Sequence, residues 1–246
     1  MHAMTAVLRR ELGGYFATPV AYVFIVIFLV LSGWFTFAEG FGSFFLRGQA
    51  DLSGFFQFLP WLYLFLIPAL SMRLWAEERR GGTIELLMTL PVPTWAAVLG
   101  KFLAAWIFTV IALAFTAPLW VTVDYLGNPD HSAIATSYIG SALLAGAFLT
   151  IGGTISALTK SQIIAFVLSV VVCLLFLLAG YPPVQGFLSQ NVPALVAQIV
   201  ADLGFLTHFQ DFSRGVVSLP AVFFFLSLMV ALLMANTVVI DLRKAD

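Results

Sequence analysis

The sequence predicts an all-α integral membrane protein with six membrane-spanning helices. Three observations carry that reading. The 246 residues are 61% hydrophobic and only 9% charged, with a mean hydropathy of +1.04, whereas a water-facing domain carries roughly 25% charged residues. Six stretches approach the roughly 20 apolar residues that a bilayer crossing needs. The basic residues are sorted to one side of those stretches, as the positive-inside rule requires.

Taken in order, the spans cover residues 19–37, 55–72, 97–123, 138–158, 163–180 and 219–240. Pro60, Pro68 and Pro118 fall inside them. A bundle tolerates such prolines because neighbouring helices re-satisfy the freed carbonyls. On one side lie Arg9, Arg10, Arg73, Arg79, Arg80, Lys101, Lys160, Arg243 and Lys244; on the other only Arg47 and Arg214. Nine against two places both termini and residues 73–96 in the cytoplasm, and an even number of spans agrees. The first span is too long for the apolar region of a cleavable signal, and no small-x-small site follows it. Ahead of it, Met4, Val7, Leu8, Leu12 and Tyr15 share one helical face, which Glu11 interrupts. Residues 1–18 therefore read either as an interfacial helix or as a plain basic flank.

Several function classes are excluded. A net charge of −1 argues against a nucleic-acid partner. A single cysteine, Cys173, forms no intrachain disulfide, and the scattered His2, His131 and His208 suggest no metal site. Ion-driven transporters place ionisable groups near the midplane. Here Lys101 is the exception within a span, close enough to the cytoplasm to snorkel. The phosphate-cradling loop G-x-x-x-x-G-K-[ST] is missing, because Gly100-Lys101 is followed by Phe102 and lacks the upstream glycine. No nucleophile–base or paired-carboxylate set appears, so the chain is expected not to be an enzyme. The run "AGAFLTIGGTISAL" offers small residues for close helix approach, either within a bundle or at a dimer face.

The segment "AEERRGGTIELLMTLPVP" (76–93) breaks the pattern, with Glu77, Glu78, Arg79, Arg80 and Glu85 inside nine residues. The second span is expected to run on helically through "RLWAEERR". Arg79 and Arg80 suit its last turn and Gly81 its C′ position. Thr83 is then a helix N-cap, with Glu85 near the positive end. Pro91 and Pro93 stop this helix of about eight residues, some 12 Å long, and Thr94 caps the third span. Ile84, Leu87 and Met88 form one apolar face and Leu86 and Leu90 another. Such a helix either lies on lipid or is covered by a partner.

This region resembles the cytoplasmic-loop signature of ABC-2-type permeases, the membrane subunits of ATP-binding-cassette exporters. Glu78, Gly82, Thr83, Glu85, Leu86, Leu87, Pro91, Gly100 and Lys101 fit that signature in order. A second segment, "HFQDFSRGVV" (208–217), resembles the gliding-motility and nitrous-oxide-reductase-maturation branch. The resemblance implies a six-span, type V exporter-like half-transporter with an N-terminal interfacial helix and a cytoplasmic coupling helix. It implies a separate ATPase subunit that binds ATP and Mg, with no cofactor in this chain. Glu77, Glu78, Arg79 and Arg80 would orient that dock, Thr83 and Glu85 would frame it, and Ile84, Leu87 and Met88 would fill the ATPase cleft. It further implies the bacterial inner membrane and a homodimer with a second copy.

Residues 181–218 form the longest stretch outside the spans. Pro193 starts a helix through Val196, Ile199, Val200 and Leu203, followed by Phe205, Phe209 and Phe212. Asp211 and Arg214 are spaced to pair on the same helix. This extracytoplasmic segment reads as interfacial or re-entrant anchoring, or as a gate or dock for a periplasmic accessory protein. The favoured function is export of a substrate driven by the partner ATPase. The alternative is an ATP-driven mechanotransmission or assembly module that acts on a periplasmic partner without moving a solute.

Overall fold

The computed structural model describes residues 2–82 and 92–242. The short helix expected from Thr83 to Leu90, with Ile84, Glu85, Leu87 and Met88, lies outside the described residues. Among those described, every regular element is a helix. Helix α1 (His2–Ala17) meets α2 (Pro19–Phe37) at a bend of 71°. A one-turn α3 (Phe44–Arg47) precedes α4 (Ser53–Ser71), which leads through Met72 into α5 (Arg73–Gly81). Then come α6 (Thr94–Ala114), α7 (Ala117–Leu126), α8 (His131–Leu158) and α9 (Gln162–Ala179). The shorter α10 (Pro182–Asn191), α11 (Ala194–Asp202) and α12 (Phe205–Ser213) lead to α13 (Leu219–Leu242). Among the described residues five helical stretches are long and apolar enough to cross a membrane, or six if the bent α1–α2 pair is counted as one span.

Helix α8 is the axis of the bundle. It packs against α4, α5, α6, α9, α12 and α13. Of its most apolar window 72% is buried, against 22% for α9 and for α13, which ring it. Its small residues explain the crowding. A Cβ on Gly140 would sit 2.6 Å from Phe212, and one on Gly146 would sit 2.5 Å from the Met229 sulfur. The "AGAFLTIGGTISAL" run is therefore spent on packing within the chain. Gly140→Val is expected to cost about 1–3 kcal/mol by overpacking, read as a lower unfolding temperature in detergent; an unchanged temperature would show that the α8–α12 contact can relax.

Three expectations are corrected. The third span is not one helix but two, because Pro118 has no N–H and its ring clashes with the carbonyl four residues back, at Ala114. Helix α6 ends at that residue, and Pro118 falls in the first turn of α7, where a proline fits. The Thr116 hydroxyl closes the break with bonds to the Leu113 carbonyl (2.6 Å) and the Tyr138 hydroxyl (2.9 Å). Second, Asp211 does not pair with Arg214 but accepts from the Ser218 hydroxyl at 2.6 Å, which secures the turn into α13. Third, Lys101 does not snorkel; it is 3% exposed.

Residues 181–218 divide into two environments. Phe205, Phe209 and Phe212 of α12 are buried against the bundle, with Phe205 stacked on Phe176 at 4.8 Å. The apolar residues Val196, Ile199 and Leu203 on and just after α11 stay exposed. Helix α10, which the Pro182-Pro183 pair initiates, has no sequence-based counterpart above.

Candidate functional site

The site is built where three helix ends meet. Helix α5 follows α4 across a break in the helical ladder at Met72, which leaves the first N–H groups of α5 to find partners outside the preceding turn. They are satisfied from across the bundle. The Ser156 hydroxyl of α8 accepts from the Trp75 N–H (3.1 Å) and the Ala76 N–H (3.0 Å), and donates to the Met72 carbonyl (2.8 Å). A serine one turn from the end of α8 thus acts as the cap of α5. Arg79 then donates from Nη1 to the Ala157 carbonyl at 2.6 Å, fixing the far end of α5 to the same helix. Gly82, not Gly81, ends α5, with a positive φ of 70° that suits glycine.

On the other flank, α1 crosses α6 closely. A Cβ on Gly100 would lie 3.0 Å from the Val7 side chain and 3.1 Å from the Met4 carbonyl, so glycine permits the crossing. Tyr15 stacks on Phe108 at 5.1 Å, and Phe16 and Phe24 meet the same ring. The close approach brings Glu11 to Lys101. The Lys101 ammonium lies 3.1 Å from Glu11 Oε1, 2.8 Å from Glu78 Oε1 and 5.3 Å from the centre of the Trp75 ring. Arg10 adds contacts at 2.6 Å to Glu11 and 3.8 Å to Glu78. One buried cation therefore joins α1, α5 and α6. Burial opposes ionisation of Glu11, but Lys101 and Arg10 outweigh it and hold its carboxyl below the ordinary value. At the start of α6, Thr94 does not cap that helix. Its hydroxyl donates to Asp241 at 2.6 Å, tying α6 to the end of α13.

The four charges expected to orient a partner fall into two pairs. Glu78 and Arg79 are turned inward to Lys101 and Ala157, whereas Glu77 and Arg80 are exposed. Thr83, Ile84, Glu85, Leu87 and Met88 lie outside the described residues. Sequence reasoning missed Glu11, Lys101 and Ser156. Two signals could have found the first two: an acid that interrupts an apolar helical face, and a lysine inside a span.

Residues 21–240 match the family described as ABC-2 family transporter protein. The chain belongs to that family. The ABC-2 protein is also 33% identical over 162 residues to heme exporter protein B of Rhodobacter capsulatus and 31% identical over 162 residues to that of Paracoccus denitrificans. Each alignment covers 61% of this chain and 69% of the relative. This ABC-2 chain is thus a multi-pass membrane permease. These relatives carry a name other than that of the gliding-motility and nitrous-oxide-reductase-maturation branch, which rests on the 208–217 segment alone.

Proposed function

We propose that the chain is the permease subunit of an ATP-binding-cassette exporter, with both termini and the 73–96 loop in the cytoplasm of a bacterial inner membrane. A separate ATPase subunit, which binds ATP and Mg, docks on that loop, and a second copy of the chain completes the pathway. The observation that supports this reading is the anchoring of α5. It is bound to α8 through Ser156 and Arg79 and to α1 and α6 through Glu78 and Lys101. A push on the loop that follows it reaches four helices at once. The exposed Glu77 and Arg80 are free to steer the partner, and Thr83, Ile84, Glu85, Leu87 and Met88 supply the dock. The relatives' name makes heme one candidate cargo, in keeping with spans too uniformly apolar to favour ions.

The test is co-purification in mild detergent. Glu85→Ala and Leu87→Asp are expected to leave membrane insertion intact and to reduce recovered ATPase by at least about tenfold, the loss of one to two contacts at an interface centre. Full recovery of the ATPase with both variants would refute the dock. A second reading, force transmission to a periplasmic partner, draws on the exposed apolar residues Val196 and Ile199 of α11. ATP-dependent release of a cargo from proteoliposomes separates the two, because force transmission alone moves none.

A further inference from the structure

At the end of the bundle opposite the 73–96 loop, the starts of α4, α8 and α10 and one face of α12 line a half-open cavity of about 550 Å³. That volume falls within the range of small-molecule sites, roughly 300–1,000 Å³. Four aromatic residues, Phe56, Trp61, Tyr181 and Phe209, stand among the aliphatic ones in its wall. Phe56 and Phe209 are buried in the bundle behind it, each 3% exposed, and Trp61 meets Tyr181 edge to face at 5.8 Å. Its charges are of one sign. Asp51 and Asp130 line it, and among the described residues that line it there is no lysine or arginine.

Both carboxylates are held by short local bonds. Asp51 Oδ1 accepts from the Ser53 N–H (3.1 Å) and hydroxyl (2.7 Å). Asp130 Oδ1 accepts from the Ser132 N–H (2.9 Å), the Ser132 hydroxyl (2.8 Å) and the Ala133 N–H (3.1 Å). These bonds all fall on Oδ1, so Oδ2 of each keeps its accepting capacity. The Ser132 bonds, then the Ala133 N–H, hold the Asp130 carboxyl below the usual range, so it is charged at neutral pH.

We propose that this cavity binds an organic cation, a positively charged head on an apolar or aromatic body. Aromatic faces attract cations through their ring quadrupoles, and the two carboxylates supply the counter-charge. Both acids reach solvent, so they favour a cation by attraction and disfavour an anion by repulsion. The binding is a property of the permease alone and does not rest on ATP coupling.

The test uses the full chain in lipid nanodiscs, without an ATPase, titrated with tetraphenylphosphonium. Saturable binding is expected. It should weaken by about tenfold in the double variant Asp51→Asn, Asp130→Asn, which loses charge-assisted contacts but retains the capping geometry. Trp61→Leu should weaken it to a similar degree. Tetraphenylborate, of the same shape and opposite charge, should not compete. No saturable binding, equal affinity in all these variants, or equal competition by the anion would overturn the assignment.

Discussion

Replacing Lys101 with methionine is expected to destabilise the permease more than any other single change in the cluster that joins α1, α5 and α6, by about 3–5 kcal/mol. The lysine is almost wholly buried and neutralises Glu11 and Glu78, whose side chains are 21% and 19% exposed. Removing it leaves two carboxylates close together in a site with little water. The cost comes from that stranded charge rather than from the lost attraction, which gives the prediction a second arm. Adding Glu11→Gln and Glu78→Gln to the methionine variant should recover much of the loss. Arg10→Ala, which removes a half-exposed partner of the same acids, should cost within about 1 kcal/mol. Thermal unfolding in detergent reads all three. A Lys101→Met variant as stable as the parent would show that the cluster is solvated in the membrane. The same cluster sets a sign for acid. The Glu11 carboxyl is held below its ordinary 4.5, so its contribution is present above that pH and is lost as pH falls through the lowered value. The parent should lose stability below about pH 4.5 more steeply than Glu11→Gln.

Ser156→Ala is expected to cost about 2–3 kcal/mol and to loosen α5 specifically. It strands two buried backbone N–H groups and one carbonyl, and no water replaces the hydroxyl at a fully buried position. Ser169→Ala is the control. Ser169 is equally buried, but its hydroxyl bonds the Ala165 carbonyl of its own helix, which loses little when the hydroxyl is removed. Hydrogen exchange localises the effect. Amides of residues 73–81 should exchange faster in Ser156→Ala and unchanged in Ser169→Ala. Equal protection in both variants would mean that the turn at Met72 holds α5 without outside help.

What the sequence discloses here follows from how far each force reaches along the chain. The spans were legible because bilayer thickness demands a continuous apolar run. The continuation of the second span was legible because Arg79, Arg80 and the glycines mark a helix end, though the positive φ falls at Gly82 rather than Gly81. The break at Pro118 was legible in principle, since its clash is with a residue four positions away; it was read as tolerated because bundles often absorb such a proline. Lys101 was misread for a different reason. Its partners lie 90 residues upstream, at Glu11, and 23 upstream, at Glu78, and nothing in the intervening sequence says that α1 folds back across Gly100. The Ser156 cap is hidden in the same way, being one serine among many on a small-residue helix. The cavity at the starts of α4 and α8 draws its walls from four separate segments, none of which is unusual alone.

The interruption at Ala114–Ala117 gives the third span unequal stiffness along its length. From Thr94 to Ala114 an unbroken series of helical bonds makes a strut about 30 Å long, and whatever displaces Lys101 displaces that strut as one body. At Pro118 the ladder loses one rung, because proline has no N–H to donate to Ala114, so α7 is joined to the strut through the Thr116 junction and its contact with Tyr138. Tyr138 also stacks on Trp120 of α7 at 5.9 Å and meets Phe56 edge-on at 5.3 Å. Thr116 and Tyr138 therefore form the joint between the two parts of the span, through which a lengthwise load on the strut reaches α7.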